Sequence, residues 1–245
     1  MARDPDDGLT VAAIGVAAAT IAAVAHETLG HGGACLATGG QVTLLTSIYF
    51  HCAPGRDLVD AAGPVLGLAC GAAALALRPR LRAATARLFL LVLGAFALFW
   101  FFGQLARDGL MRRDDWAFAV TGTAASLAFG AVGIAGYIGT MRLVRRLAAA
   151  EGVSFRALLT PYLAGAISAA VAGAAWRGGG LAGAREGLLT LGLAPLGYVW
   201  AVWRGSAATG GPAPAISRSW LWVVAATVVF VLFVVLQGRG LGRLA

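Results

Sequence analysis

The stretch from Ala25 to Gly40, A-H-E-T-L-G-H-G-G-A-C-L-A-T-G-G, sets His26, Glu27 and His31 at the far end of an apolar run. Ionisable groups reached through about seventeen apolar residues cost several kcal/mol in or near lipid, unless a partner, a metal or a wet cavity compensates. Their types suit zinc. A hydrolytic zinc site needs three nitrogen or oxygen ligands, an open position for water, and a carboxylate near that water to take its proton. His26, Glu27, His31 and a downstream aspartate supply that inventory. The competing reading is a hydrogen-bonded polar knot that fixes helix packing.

The spacing puts a condition on the backbone. Histidines four apart on an α-helix lie about 40° apart around the axis, whereas five apart they lie about 140° apart. His26 and His31 are five apart. A one-residue π-bulge restores the facing, and such bulges favour functional sites. Gly30 offers a place for the backbone to deform. A straight helix instead aligns Glu27, His31 and Cys35, leaving His26 aside.

The third ligand must arrive from elsewhere in the chain. Asp108, Asp114 and Asp115 sit in R-D-G-L-M-R-R-D-D-W, residues 107 to 116. If the first helix delivers His26 to one face, two further crossings return the chain to that face, so these carboxylates can meet the histidines. Asp115, ahead of Trp116 at the mouth of a span, is favoured as a ligand over Asp108, and Asp114, beside Arg112 and Arg113, reads as a solvated partner. His51 and Cys52 form a rival ligand pair. Asp57 and Asp60 read as caps of the second helix.

The elements that must position these groups are apolar helices. Hydrophobic residues make up 59% of the 245, charged residues 12%, and the mean hydropathy is +0.80. The apolar runs are long enough to cross a bilayer, which gives an all-α polytopic membrane protein with about seven transmembrane helices. The expected spans are Leu9–Ala25 continuing to about Thr38, Leu58–Leu77, Leu88–Ala106, Trp116–Met141, Leu158–Trp176, Gly187–Trp203 and Trp220–Gln237. Pro161 and Pro195 predict kinks in the fifth and sixth. F-W-F-F-G-Q, ending the third, reads as an aromatic belt.

Between the first two helices, V-T-L-L-T-S-I-Y-F-H-C (42 to 52) is rich in β-branched and aromatic residues and too short to span as a helix. It predicts a strand-like or re-entrant segment beside the site. Residues 1–120 therefore form a metal-site core of helices 1 to 3, and 121–245 supporting transmembrane helices, within a single membrane domain.

The net charge of +8 comes from arginine alone, spread between apolar runs, which suits lipid headgroups and gives no compact basic surface for nucleic acid. The acidic N-terminus lacks the basic flank of a secretory signal, so the first run reads as a retained helix. Of Cys35, Cys52 and Cys70, one is left over in any disulfide scheme, and structural thiols are the favoured reading. With seven spans, eleven arginines fall on the N-terminal side and eight opposite, which favours a cytoplasmic N-terminus.

Taken together, H-E-T-L-G-H-G (26 to 32), A-A-G-P-V-L-G (61 to 67) and the aspartate cluster resemble the site-2 protease family of intramembrane zinc metalloproteases. The likeness covers about residues 10 to 120. It implies zinc as cofactor, His26 and His31 as ligands with Asp115 or Asp108 as the third, and Glu27 as general base. It also implies a transmembrane protein substrate, a bacterial cytoplasmic (inner) membrane, and a metal nearer the cytoplasm, the reverse of the orientation that the arginines favour. The chain departs from the family in the extra residue between the histidines and in keeping only D-G, at Asp108 and Gly109, of the longer aspartate motif. Peptide-bond hydrolysis by metal-activated water is the expected function. A helical substrate would have to unwind, and the strand-like segment 42 to 50 could hold it extended by edge pairing. The alternatives are a non-catalytic membrane scaffold or chaperone, and a small proton- or metal-coupled transporter.

Overall fold

The computed structural model describes residues 6–203 and 215–242. Six helices among them are long and apolar enough to cross a membrane, which makes this a membrane protein of predominantly helical fold: α1 (Gly8–Ala37), α2 (Asp57–Arg80), α3 (Ala84–Met111), α4 (Thr123–Ala150), α5 (Phe155–Ala174) and a last helix, Trp220–Gly238.

The first part of α1, Gly8–Ala23, is apolar on every side, and it runs through the middle of the bundle. Val11, Ile14 and Ala18 of α1 pack with Leu91, Val92, Phe96 and Phe99 of α3 and Leu158 of α5 in the principal core. Gly15 lies directly against the backbone of Pro161, a close approach that only a residue without Cβ permits. Asp7 caps α1, its side chain accepting from Thr10 N at 2.9 Å.

Two expected spans differ from the sequence reading. The fourth begins at Thr123, not Trp116, because Asp114–Ala119 form a separate 3₁₀ turn, preceded by left-handed Arg112 and opening on left-handed Asp114. The sixth is a series of short pieces, α6 (Gly180–Leu188), a π turn (Leu189–Leu193) and α7 (Leu196–Trp203), broken at Pro195. Tyrosines satisfy the backbone groups that the break sets free. Tyr137 Oη donates to Ala194 O at 2.7 Å and accepts from Gly197 N at 2.7 Å, while Tyr162 Oη donates to Gly192 O at 2.6 Å. The last long helix, Trp220–Gly238, is α8.

The segment after α1 forms a small antiparallel sheet of β1 (Gln41–Leu45), β2 (Phe50–Ala53) and β3 (Leu241–Gly242), in the order β2-β1-β3. Val42 pairs with Cys52 and Leu45 with Phe50, with an irregularity at Thr43. Because β1 is the central strand, β2 and the two-residue β3 are the edge strands, and β2 offers the longer edge. Thr46 O accepts from Gln237 Nε2 at 2.7 Å, and Gln237 Oε1 accepts from Thr28 Oγ1 at 2.6 Å, so the end of α8 fastens the hairpin to α1.

Candidate metal centre

α1 changes its winding where the chemistry begins. Val24–Gly32 form a π-helical stretch, so residues five apart come to lie nearly above one another, and the bulge that the five-residue spacing demands is present. His26 Nε2 and His31 Nε2 stand 3.2 Å apart. On the straight helix they would point away from each other.

Gly30 and Gly63 let α1 and α2 meet. A Cβ on Gly30 would press on the Gly63 backbone, and one on Gly63 would overlap the His31 ring. The A-G-P element of α2 thus makes room for an imidazole. Gly30 serves that close approach and has no left-handed backbone of its own.

The third group comes from the 3₁₀ turn between α3 and α4. Asp115 Oδ2 lies 3.2 Å from His26 Nε2 and 3.4 Å from His31 Nε2. Three ligand atoms so placed form a near-equilateral triangle with edges of 3.2, 3.2 and 3.4 Å. Ligands about 2.0–2.1 Å from a tetrahedral zinc are separated by roughly 3.3 Å, so the donor set fits that ion without rearrangement. Each ligand also has a support. His31 Nδ1 donates to Val59 O at 2.7 Å, which leaves Nε2 as the lone-pair nitrogen facing the triangle. Trp100 stacks on His26 with ring centroids 4.2 Å apart, and Phe50 stacks on His31 at 5.4 Å. Gln104 Nε2 donates to Asp115 Oδ2 at 2.5 Å.

Glu27, only 4% exposed, lines the same cavity as the triad and makes no hydrogen bond to a described residue. The cavity has a volume of about 770 Å³ and is walled by Tyr49 and Phe50 of the hairpin, Trp100 and Gln104 of α3, and Arg185 and Leu189 of α6 and the turn after it. That is room for a short stretch of extended chain.

Other candidate residues lie elsewhere. Asp108 is fully buried one turn from Gln104 and accepts from Arg107 Nε at 2.8 Å, apart from the triangle. Asp114 pairs with Arg107 at 2.8 Å and Arg113 at 3.6 Å, as a partner of arginines. Cys35 and Cys52 are joined in a disulfide, so neither is a free thiol and the rival pair of His51 and Cys52 has lost its sulfur ligand; Cys70 alone is free. Arg56, not an aspartate, occupies the N-cap of α2. Asp57 and Asp60 fall in its first turn, where carboxylates favour the helix dipole.

Trp100 and Gln104 are the supporting residues that the sequence reading did not single out. They sit four apart and so on one face of α3, inside a run that reads as an aromatic belt, yet Trp100 is buried. The lone amide two residues after F-W-F-F was the available signal. No protein-family model, curated protein or solved structure matches this chain.

Proposed function

We propose that this chain is an intramembrane zinc metalloprotease-like hydrolase, similar in its chemistry to the site-2 proteases. One observation carries the reading: the triangle of His26, His31 and Asp115 donor atoms, sized for a tetrahedral cation, with Glu27 on the wall of the same cavity. Zinc bound there would supply Lewis acidity, lowering the pKa of a coordinated water toward about 7 and polarising a peptide carbonyl.

The protein's own groups do the rest. His26, His31 and Asp115 fix the ion, and Val59 O, Trp100, Phe50 and Gln104 fix those three. Glu27 takes a proton from the attacking water as its oxygen bonds to the peptide carbon, and returns that proton to the leaving amine as the C–N bond breaks. A helical substrate hides its carbonyls within its own ladder, so it must enter unwound. The open edge of β2, which begins at Phe50 on the cavity wall, supports pairing with such an extended segment.

The same reading takes the broken stretch 180–203 as a seventh crossing. Asp6 bonds Ser154 Oγ at 2.9 Å and Ile216 N at 3.0 Å, which puts the start of α5 and the approach to α8 beside the N-terminal end of α1. Trp176, after α5, lies against Tyr49 of the hairpin at the opposite end, with ring centroids 5.2 Å apart. Those two placements support a crossing made by the broken stretch 180–203. A bacterial cytoplasmic membrane, with its lipids as surroundings and a transmembrane polypeptide as substrate, completes the proposal.

The test is metal analysis of the purified chain beside cleavage of a model single-span polypeptide in mixed micelles. One zinc per chain is expected in the wild type and none in His26→Ala, with Glu27→Gln retaining metal and losing cleavage. Equal metal in wild type and His26→Ala, or undiminished cleavage by Glu27→Gln, overturns the proposal.

A further inference from the structure

The two ends of the bundle differ in kind. At the N-terminal end, Arg78 pairs with Glu151 at 2.7 Å and Arg87 with the same carboxylate at 3.1 Å, while Arg218 pairs with Asp7 at 2.7 Å. These bonds gather the α2–α3 turn, the α4–α5 turn and the approach to α8 onto one face. Arg82 and Arg156 stand in or beside those turns and Arg142, Arg145 and Arg146 in the last turns of α4, and none has a carboxylate partner among the described residues. Nine of the described arginines lie at this end and seven at the other, and the arginine-richer side is the one retained in the cytoplasm, whatever the carboxylates beside it.

The opposite end holds the cavity and the disulfide. Cys35 lies one turn beyond His31 on α1, and Cys52 lies two residues beyond Phe50, whose ring covers His31. Both cysteines are buried, in a small cluster of their own with Val59, the residue whose carbonyl holds His31. The bond is thus part of the wall behind the ligand helix. Disulfides form and persist in oxidising compartments and are rare where glutathione and thioredoxin keep thiols reduced. At this end Arg107 pairs with Asp108 and Asp114, Arg113 with Asp114 at 3.6 Å and Arg185 with Glu186 at 2.9 Å, while Arg56, Arg112, Arg177 and Arg239 have no carboxylate partner among the described residues.

We infer that the cavity holding His26, Glu27 and His31 opens to the oxidising, extracytoplasmic side of the membrane, and that the polypeptide segments it acts on are presented from that side. The second half rests on the hydrolytic reading above; the first does not. Arginine placement and cysteine chemistry are separate observations, and both assign the N-terminal end to the reducing side. The orientation is the reverse of the one that the family resemblance implies. A substrate then needs an extended segment outside the membrane, and the cation is taken up from the same compartment.

Accessibility labelling reads the orientation whether or not metal is bound. In a Cys70→Ser background, Arg177→Cys adds a thiol to the exposed turn before α6, next to Trp176, and Arg82→Cys adds one to the turn between α2 and α3. In intact cells a membrane-impermeant maleimide is expected to label Arg177→Cys, and to label Arg82→Cys only after permeabilisation. The reverse pattern, or equal labelling of both, overturns the inference. A second readout leaves Cys35 and Cys52 native: cells lysed into an alkylating reagent should yield both unmodified until a reductant is added, and alkylation before reduction overturns it as well. A chain that labels as expected yet binds no zinc would refute the hydrolase and leave the orientation standing.

Discussion

Gly63 lies against the His31 imidazole with no room for a Cβ between them. The contact couples helix packing to ligand placement, because the ring it touches is held on its other side by Phe50 and at Nδ1 by Val59 O. Gly63→Ala must push either α2 or the ring outward. Overpacking of this kind costs about 1–3 kcal/mol, so the variant should melt at lower temperature and bind zinc less tightly. A thermal melt in detergent with a chelator-competition titration checks both. Unchanged zinc affinity would show that the glycine does not set the position of His31.

Gln104 is expected to tune the metal without touching it. Its amide nitrogen is bound to the same Asp115 oxygen that faces both histidines. Loss of such an outer partner typically costs about 10–100-fold in affinity. Gln104→Ala should fall in that range by chelator competition. Gln104→Glu should fall further, since a second carboxylate would then confront Asp115 where an amide N–H now donates. Wild-type affinity in both variants would mean that the turn holds Asp115 unaided.

The two aspartates of the 107–115 stretch should separate cleanly. Asp115→Asn removes a charged donor from the triangle and should abolish stoichiometric zinc. Asp108→Asn alters a fully buried group whose partner is Arg107, and removing a hydrogen bond between charged groups costs about 1.5–3 kcal/mol. That variant should lose thermal stability and keep its metal. Zinc lost from Asp108→Asn at temperatures where the chain remains folded would move the ligand assignment to Asp108.

Much of this site was legible because its chemistry is carried by few residues in apolar surroundings. The five-residue interval between His26 and His31 demanded a wider helical turn, and Val24–Gly32 supply it. V-T-L-L-T followed by F-H-C predicted strands, and β1 and β2 formed there. Return of the chain to the same face after two crossings brought Asp115 within reach. What stayed hidden depends on partners far away in sequence. Nothing in the 17-residue interval between Cys35 and Cys52 distinguishes a bonded pair from two buried thiols until the hairpin folds back on α1. Trp116 looked like the anchor of a span, but the left-handed residues Arg112 and Asp114 turn the backbone first and delay α4 to Thr123. Pro195 signalled a kink, whereas the extent of the break is set by Tyr137 and Tyr162, which make it tolerable.

At the N-terminal end, pH should act through Asp7. Its carboxylate accepts from Thr10 N, the largest influence, and from Arg218 Nε, and both hold it below the usual carboxylate value of 3.8. A group whose pKa is depressed by folding binds fewer protons in the native state, so its stabilisation is complete above the unfolded value and disappears as pH falls through the folded one. The cap on α1 and the tie to Arg218 should therefore hold at neutral pH and weaken only below about pH 4. Asp7→Asn keeps an acceptor for Thr10 but loses the ion pair, so its thermal midpoint should lie below the wild type at pH 7 and approach it in acid. Melting curves of both chains from pH 7 down to pH 3 measure that convergence. Parallel curves with a constant gap would assign the difference to the geometry of the cap, with no share for its charge.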